Sequence, residues 1–167
     1  ESDLQVGPDW SPDGNSIAYS SMRGGQHALM LARVGDARAP AVLAENVGTY
    51  PRWSPDGNWI ACSGPDEAMT IVSADGKTRK KLGSGVWLVH GWASARTLLG
   101  IRRAEPRMLT VSEIDVQSGQ ERVLSVIGRY PAEYSYGTYT GTPPVRGFSM
   151  RPDGRAFVTS VIRPRSD

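Results

Sequence analysis

The chain has 167 residues, which is enough for one domain with a sizeable core, and its 19 glycines and 12 prolines favour a fold with many tight turns. Its net charge of +2 is too small to indicate a nucleic-acid-binding protein. No apolar run approaches the roughly 18 residues that a membrane-spanning helix requires, so we expect no direct membrane insertion. Cys62 is the single cysteine, which excludes an intrachain disulfide and favours a small buried thiol.

A six-residue motif returns along the chain. The segment Trp10–Asn15 is repeated without change as Trp53–Asn58, and the two copies begin 43 residues apart. A third copy stands at Phe148–Arg155, and a degenerate one lies between them at Gly91–Arg96. Each copy is followed by a short apolar run. A period of about 40 residues made of short strands is typical of β-propeller blades, so the sequence predicts an all-β propeller of four-stranded antiparallel blades.

The Asp-Gly pair inside the motif predicts a hairpin turn. Glycine adopts positive φ without steric cost, aspartate tolerates unusual turn geometry, and the preceding proline presets its own φ. The functional alternative is that the recurring aspartates act as ligands or as catalytic acids. Because a catalytic carboxylate is not expected at the same place in every copy, the structural interpretation is favoured. The predicted turn residues are Asp13, Gly14, Asp56, Gly57, Asp153 and Gly154.

In chain order, the predicted blades cover residues 5–46, 50–83, 86–127 and 129–167, all in one domain of about three and a half to four blades. Each of the first three has room for four strands, whereas the last has two clear strands and is incomplete. Residues 3–6 form a lone strand candidate before the first blade.

An insertion precedes the last blade and is the candidate interaction loop. Ala95 and Pro152 are 57 residues apart, against 43 residues between the first two copies, and the extra residues are rich in Gly, Pro, Thr and Tyr. Tyrosine offers rigid amphipathic contact area and is enriched in recognition surfaces. The alternative is a loop that folds back over apolar blade surface. The candidate interaction residues are Tyr130, Tyr134, Tyr136, Tyr139 and Arg146.

The motif resembles the TolB-like (WD40-like) β-propeller repeat, which reads roughly Pro-x-Trp-Ser-Pro-Asp-Gly-x-x-Ile-Ala-aromatic-x-Ser. The resemblance covers most of the chain, and since such propellers usually have six or more blades, it implies part of a larger propeller. The stretch from Tyr134 to Asp167 resembles the last blades of bacterial propellers fused to Ser/Thr kinase or winged-helix regulator domains. The resemblance therefore implies a bacterial scaffold or sensor module, favours a periplasmic or extracytoplasmic location, and points to binding through loops around the central channel.

Catalytic patterns are sparse. His27 and His90 are the two histidines, and there is no Gly-x-Ser-x-Gly nucleophile elbow and no zinc-ligand spacing. We therefore predict no catalytic residue, no metal ligand and no cofactor. The leading expectation is a non-enzymatic module that binds a protein or peptide. The alternatives are the accessory propeller of a prolyl oligopeptidase-type hydrolase and a propeller enzyme in which His27 or His90 meets carboxylates at the channel.

An incomplete propeller leaves its end blades uncovered. Three solutions are open: the strand near Leu4 completes the last blade and closes a small ring, two chains associate through their open ends, or a longer protein supplies further blades. The second solution predicts a homo-oligomer.

Overall fold

The computed structural model describes residues 4–23, 25–63, 69–83, 87–104, 108–129, 145–150 and 157–161. These residues form β-strands joined by turns, and none of them lies in a helix. Accordingly, a helix long and apolar enough to cross a membrane is not found in this part of the chain. The strands are β1 (Leu4–Trp10), β2 (Ser16–Arg23), β3 (Gln26–Arg33), β4 (Ala41–Glu45), β5 (Thr49–Trp53), β6 (Trp59–Ser63), β7 (Met69–Ser73), β8 (Arg79–Leu82), β9 (Trp87–Ser94), β10 (Thr97–Ala104), β11 (Met108–Asp115), β12 (Glu121–Arg129), β13 (Val145–Met150) and β14 (Phe157–Val161).

The strands form successive antiparallel sheets. Strands β1–β4, β5–β8 and β9–β12 each make a four-stranded sheet in which neighbours in sequence are neighbours in space, and β13 pairs with β14. The prediction of an all-β fold with four-stranded antiparallel blades is therefore confirmed. The first strands β1, β5 and β9 contact one another in succession, so they form the common centre of the stack and the fourth strands lie outside.

The expectation of a lone strand at residues 3–6 is wrong. Leu4 and Val6 pair with Met22 and Ser20, so this segment is the first half of β1 and does not complete the last blade. The strand continues past the Gly7-Pro8 pair because it bulges there: the register shifts between Val6 and Asp9, and Gly7 has a φ of 62°. An extra residue at such a bulge bends a strand without ending it.

The same bulge recurs in every sheet. The register of the first strand against the second also breaks between Thr49 and Arg52, and between Arg146 and Phe148. In the third sheet the break falls between Leu99 and Gly100, opposite β9. The repeat therefore encodes a bulged inner strand as well as the turn that follows it.

The core lies between the sheets and forms two clusters. One joins the first and second sheets, and Cys62 is fully buried in it. The other joins the second and third sheets. Both faces of the second sheet are thus covered, and each fully buried Leu, Ile or Met contributes about 1.5–3 kcal/mol. The first cluster contains Ala18, Leu29, Val47, Ile60, Cys62 and Val72, and the second contains Ala61, Met69, Ile71, Leu82, Val89, Leu98, Ile114 and Val116.

Buried serines on the second strands connect the first sheet to the second and the second sheet to the third. Ser20 Oγ donates a hydrogen bond to the Gly48 carbonyl over 2.9 Å, and Ser63 Oγ accepts one from the Val89 amide over 3.0 Å. Ser20 and Ser63 occupy the same position of the repeat. A buried main-chain group left without a partner is costly, so these bonds help to fix how successive sheets pack.

Candidate interaction site on the inner strands

Polar side chains link the inner strands across the boundaries between sheets. The Asp9 carboxylate on β1 accepts a hydrogen bond of 2.7 Å from the Trp53 amide on β5. Arg52 on β5 donates from Nε to the His90 carbonyl on β9 over 3.2 Å. Asp9 and Arg52 occupy the same repeat position, the variable residue between the proline and the tryptophan. This position therefore joins β1 to β5 and β5 to β9, with a carboxylate in one case and a guanidinium in the other.

Arg52 is held from both sides. Its Nη1 donates to the Pro51 carbonyl over 2.9 Å, while its own main-chain carbonyl accepts a bond of 2.9 Å from the Trp92 indole. The Trp92 ring packs against the core cluster between the second and third sheets. The two guanidinium bonds, to the His90 and Pro51 carbonyls, restrict the half-buried Arg52 side chain, so a ligand has to remove less side-chain entropy when it binds.

Tyr50 lies two residues before Arg52 and has an unusual backbone conformation. Its φ is 56°, a left-handed value that L-residues other than Asn and Asp seldom adopt, and it is 40% exposed. Gly7 holds the equivalent bulge position in the first sheet. A Cβ on Gly7 would lie 2.9 Å from both Cα and Cδ1 of Tyr50, so the glycine is required for this close approach. The left-handed φ belongs to the bulge, which here places an exposed aromatic residue on an inner strand.

His90 on β9 completes the group of residues that we call the inner-strand site: Asp9, Tyr50, Arg52 and His90. Burial, helped by the positive charge of Arg52, lowers the pKa of His90 from 6.5 to about 4. The imidazole is therefore neutral at pH 7. A histidine serves best as a general acid or base when its pKa lies near the working pH, so this environment opposes such a role.

The described residues do not support a metal centre or a reactive cysteine. No group of three or more His, Cys, Asp or Glu side chains in the described ranges is arranged to hold a metal ion. Burial raises the pKa of Cys62 to about 12, despite a small opposing effect of Arg79. His27 lies on β3 of the first sheet and His90 on β9 of the third, so the two histidines belong to different blades.

The motif aspartates organise the turns between first and second strands. Ser11 Oγ donates to Asp13 Oδ1 over 2.5 Å and accepts from the Ser16 amide over 2.8 Å, which closes the turn. Gly14 has a φ of 71°, as the turn requires. The hydrogen bond from Ser11, followed by those from Asn15, holds the pKa of Asp13 below its ordinary value.

The second copy has the same turn. Ser54 Oγ donates to Asp56 Oδ1 over 2.6 Å and accepts from the Trp59 amide over 2.9 Å, and Gly57 has a φ of 71°. The slight burial of Asp56 opposes ionisation, but the bonds from Ser54 and Asn58 outweigh it and lower the pKa. A similar hydrogen-bonded turn joins β7 to β8, where bonds from Ser73 and Lys77 lower the pKa of Asp75 to about 2.

The remaining sequence-predicted residues are only partly covered. Tyr130, Tyr134, Tyr136, Tyr139, Asp153 and Gly154 lie outside the described residues. Arg146 lies in β13 opposite Ser160, and its side chain is not described. The interaction loop therefore stays a prediction.

Sequence reasoning missed Asp9, Tyr50 and Arg52. An alignment of the repeats could have found them, because Gly7-Pro8-Asp9-Trp10 aligns with Tyr50-Pro51-Arg52-Trp53. In the second copy an aromatic residue replaces the glycine, and a positively charged residue replaces the negatively charged one.

The fold matches solved propellers. The structure is similar to that of TolB from Acinetobacter baumannii, with a TM-score of 0.72 and 17% identity over 99% of this chain and 39% of that chain. It is similar to putative TolB from Agrobacterium tumefaciens (TM-score 0.63, 19% identity, 77% of this chain, 51% of that chain). It is also similar to the β-propeller domain of the Trilobed protease from Pyrococcus furiosus (TM-score 0.55, 19% identity, 76% of this chain, 43% of that chain).

No protein-family model and no curated protein matches the sequence. The chain has the fold of part of a TolB-like β-propeller, which confirms the resemblance seen in its motif. It spans about two fifths to one half of the length of these three proteins. Because the similar structures include both TolB and a protease propeller domain, the fold alone does not decide between binding and catalysis. The expected fusion to a kinase or winged-helix domain stays a prediction.

Proposed function

We propose that this chain is a non-enzymatic interaction module that binds a protein or peptide at the inner-strand site. The observation that carries the proposal is Tyr50, an aromatic residue 40% exposed and held at a φ of 56° beside the restrained Arg52. Tyrosine and arginine are, with tryptophan, the residues enriched at the energetic centres of protein interfaces. The Tyr130–Tyr139 segment joins β12 to β13 and would add further aromatic contacts.

The chemistry of the inner-strand site supports binding better than catalysis. His90, the candidate acid or base, lies beside a cation and has a pKa of about 4. A base with so low a pKa abstracts protons weakly near neutrality. Arg52 is fixed by one bond to the His90 carbonyl on β9 and one to the Pro51 carbonyl of its own strand, which suits a residue that anchors a ligand.

A peptide selection tests the proposal. A library of random short peptides is selected on the purified chain, and the peptides recovered are titrated by fluorescence anisotropy. Tyr50→Gly is the diagnostic variant, since glycine adopts the required φ and stands at the equivalent position in the first sheet. We expect it to fold and to weaken binding by roughly thirtyfold, as for a hot-spot residue.

Val126→Ser is the matched control, because Val126 is an exposed apolar residue on the outer strand β12. It should bind as the wild type does. Equal binding by Tyr50→Gly and the wild type would show that the peptides bind outside the inner-strand site. Hydrolysis of the peptides by the chain would overturn the non-enzymatic assignment.

The second candidate function is the accessory propeller of a prolyl oligopeptidase-type hydrolase. The similarity to the propeller domain of the Trilobed protease favours it, at the level of fold. It requires a hydrolase domain with a nucleophile elbow in the same protein, so the sequence of the full-length protein tests it directly.

A further inference from the structure

Arg52 differs from most of the arginines whose contacts are described, and only Arg79 resembles it in bonding main-chain carbonyls across a sheet boundary. Most of these pair with a carboxylate of their own sheet or turn, whereas Arg52 bonds main-chain carbonyls and forms no ion pair with a described carboxylate. Asp9, the nearby acidic residue of the inner-strand site, directs its carboxylate to the Trp53 amide. The arginines in ion pairs are Arg38 with Asp36, Arg96 with Asp115, Arg102 with Glu121, and Arg122 with Glu113.

The guanidinium of Arg52 retains unused donors. Of the five N–H groups of an arginine side chain, Nε bonds the His90 carbonyl and one Nη1 hydrogen bonds the Pro51 carbonyl. Within the described part of the chain, the second Nη1 hydrogen and both Nη2 hydrogens have no partner and remain for a ligand. The two Nη atoms form the fork that carboxylates accept in bidentate fashion.

The charge of the Arg52 guanidinium suits a single negative group. Arg52 is the one Lys or Arg residue on the described inner strands β1, β5 and β9. The neighbouring His90 is neutral near pH 7, because its pKa is about 4. Among the described residues the half-buried guanidinium forms no ion pair, because the nearby Asp9 carboxylate is engaged by the Trp53 amide. One unpaired positive charge matches a carboxylate better than a doubly charged phosphate.

We propose that Arg52 binds a carboxylate of the peptide or protein ligand, supplied by an acidic side chain or by a chain terminus. This inference rests on the proposed function and names the chemical group that the inner-strand site recognises. Tyr50, two residues away, packs beside the bound segment and supplies its apolar contact. The bonds of the Arg52 guanidinium to the His90 and Pro51 carbonyls hold it in place before the ligand arrives, which reduces the entropic cost of binding.

Matched peptides test the inference by fluorescence anisotropy. The probes are the peptides selected on the wild type and a labelled oligoglutamate, each compared with a copy in which Glu and Asp become Gln and Asn, and with a copy amidated at its C-terminus. We expect neutralising the recognised carboxylate to weaken binding to the wild type about 10- to 100-fold, the value of a charge-assisted bond. The two copies distinguish a side-chain carboxylate from a terminal one.

Three variants assign the effect to Arg52. Arg52→Gln should bind the acidic and neutral peptides equally, whereas Arg52→Lys should still prefer the acidic peptide, with lower affinity. Arg79→Gln is the control, because Arg79 also bonds two carbonyls across a sheet boundary, those of Glu45 and Asn46, but lies on the outer strand β8. It should leave the preference unchanged. Circular dichroism and thermal melting establish that each variant is folded.

The outcomes separate the two proposals. If the wild type binds selected peptides but ignores their charge, or if Arg52→Gln keeps the acidic preference, the carboxylate anchor is overturned and the interaction module stands. If no selected peptide and no oligoglutamate binds the wild type, both proposals are overturned.

Discussion

Trp10 and Trp53 occupy the same position of the repeat but have different environments. Trp53 packs against the core cluster between the first and second sheets, whereas Trp10 is 57% exposed. Trp92, at the same position of the third sheet, packs against the second cluster. The motif tryptophan is therefore a contact between successive blades, and Trp10 marks a blade face that the described residues leave uncovered.

Replacing these two tryptophans by alanine should have unequal effects on stability. Trp53→Ala removes a large side chain from a blade interface, and we expect the free energy of unfolding to fall by about 2–4 kcal/mol. Trp10→Ala removes a mostly exposed ring and should cost less than about 1 kcal/mol. Urea denaturation of the two variants and the wild type measures both values. Equal losses would show that Trp10 is covered in the folded protein.

The same exposed face leads to a prediction about self-association. In the first sheet, Trp10 pairs with Ile17, and Met30 pairs with both Tyr19 and Val42. Directly paired residues point to the same face, and Val42 is 48% exposed. We expect two chains to associate through this face, because exposed apolar patches of this kind drive association.

Light scattering over a dilution series measures this association. The double variant Trp10→Ser, Val42→Ser should dissociate at concentrations where the wild type is a dimer. A second double variant, Val123→Ser with Val126→Ser, is the control, because it removes two valines that are 51% and 57% exposed on the outer strand β12. A monomeric wild type at every concentration, or an equal effect of the control, would contradict the prediction.

The blade architecture could be predicted from the sequence because its signals are local. The Asp-Gly turn, the proline before it and the alternating apolar residues after it act over a few residues and recur with one period. The Ser11–Asp13 and Ser54–Asp56 hydrogen bonds show why the motif keeps serine and aspartate two residues apart. The boundary of β1 was missed because Gly7-Pro8 reads as a strand end, whereas the structure uses it as a bulge.

The inner-strand site could not be predicted because its contacts join residues that are far apart in sequence. Asp9 and Arg52 carry opposite charges at the same repeat position, so the repeat pattern does not indicate which kind of ligand or contact this position serves. The structure shows that each reaches the next strand, about one repeat further along the chain. The left-handed φ of Tyr50 could not be predicted either, because tyrosine has no preference for positive φ. The one indication in the sequence is Gly7, the glycine at the equivalent position of the first sheet.

The lowered pKa of His90 predicts how stability depends on pH. Between pH 6.5, the ordinary value, and about pH 4, the unfolded chain binds a proton at His90 and the folded chain does not. Stability must therefore fall as the pH falls through this window. After allowance for solvent screening of a half-exposed group, we expect His90 to account for about 1–2 kcal/mol. His90→Gln should remove this part of the pH dependence in urea titrations.

Arg52→Gln provides the control for the cause of this shift. Burial is the larger cause, so removing the Arg52 charge should raise the pKa of His90 only part of the way towards 6.5. An NMR titration of the His90 ring protons measures it. A wild-type pKa of about 6.5 would contradict the assigned environment.

Cys62 should report on the separation of the first and second sheets. Its thiol is fully buried in the cluster between them, and burial raises its pKa to about 12, so little reactive thiolate forms. We expect iodoacetamide to label the native protein very slowly. Trp53→Ala should accelerate labelling, since Trp53 packs against the cluster that contains Cys62.

Trp92→Ala is the comparison that separates local opening from general instability. Trp92 packs against the cluster between the second and third sheets, which does not include Cys62. At matched unfolding free energy, set with urea, Trp53→Ala should be labelled several times faster than Trp92→Ala, because only the first variant loosens the interface around the thiol. Equal labelling rates would show that Cys62 becomes accessible only when the whole chain unfolds, and that the blades do not separate one interface at a time.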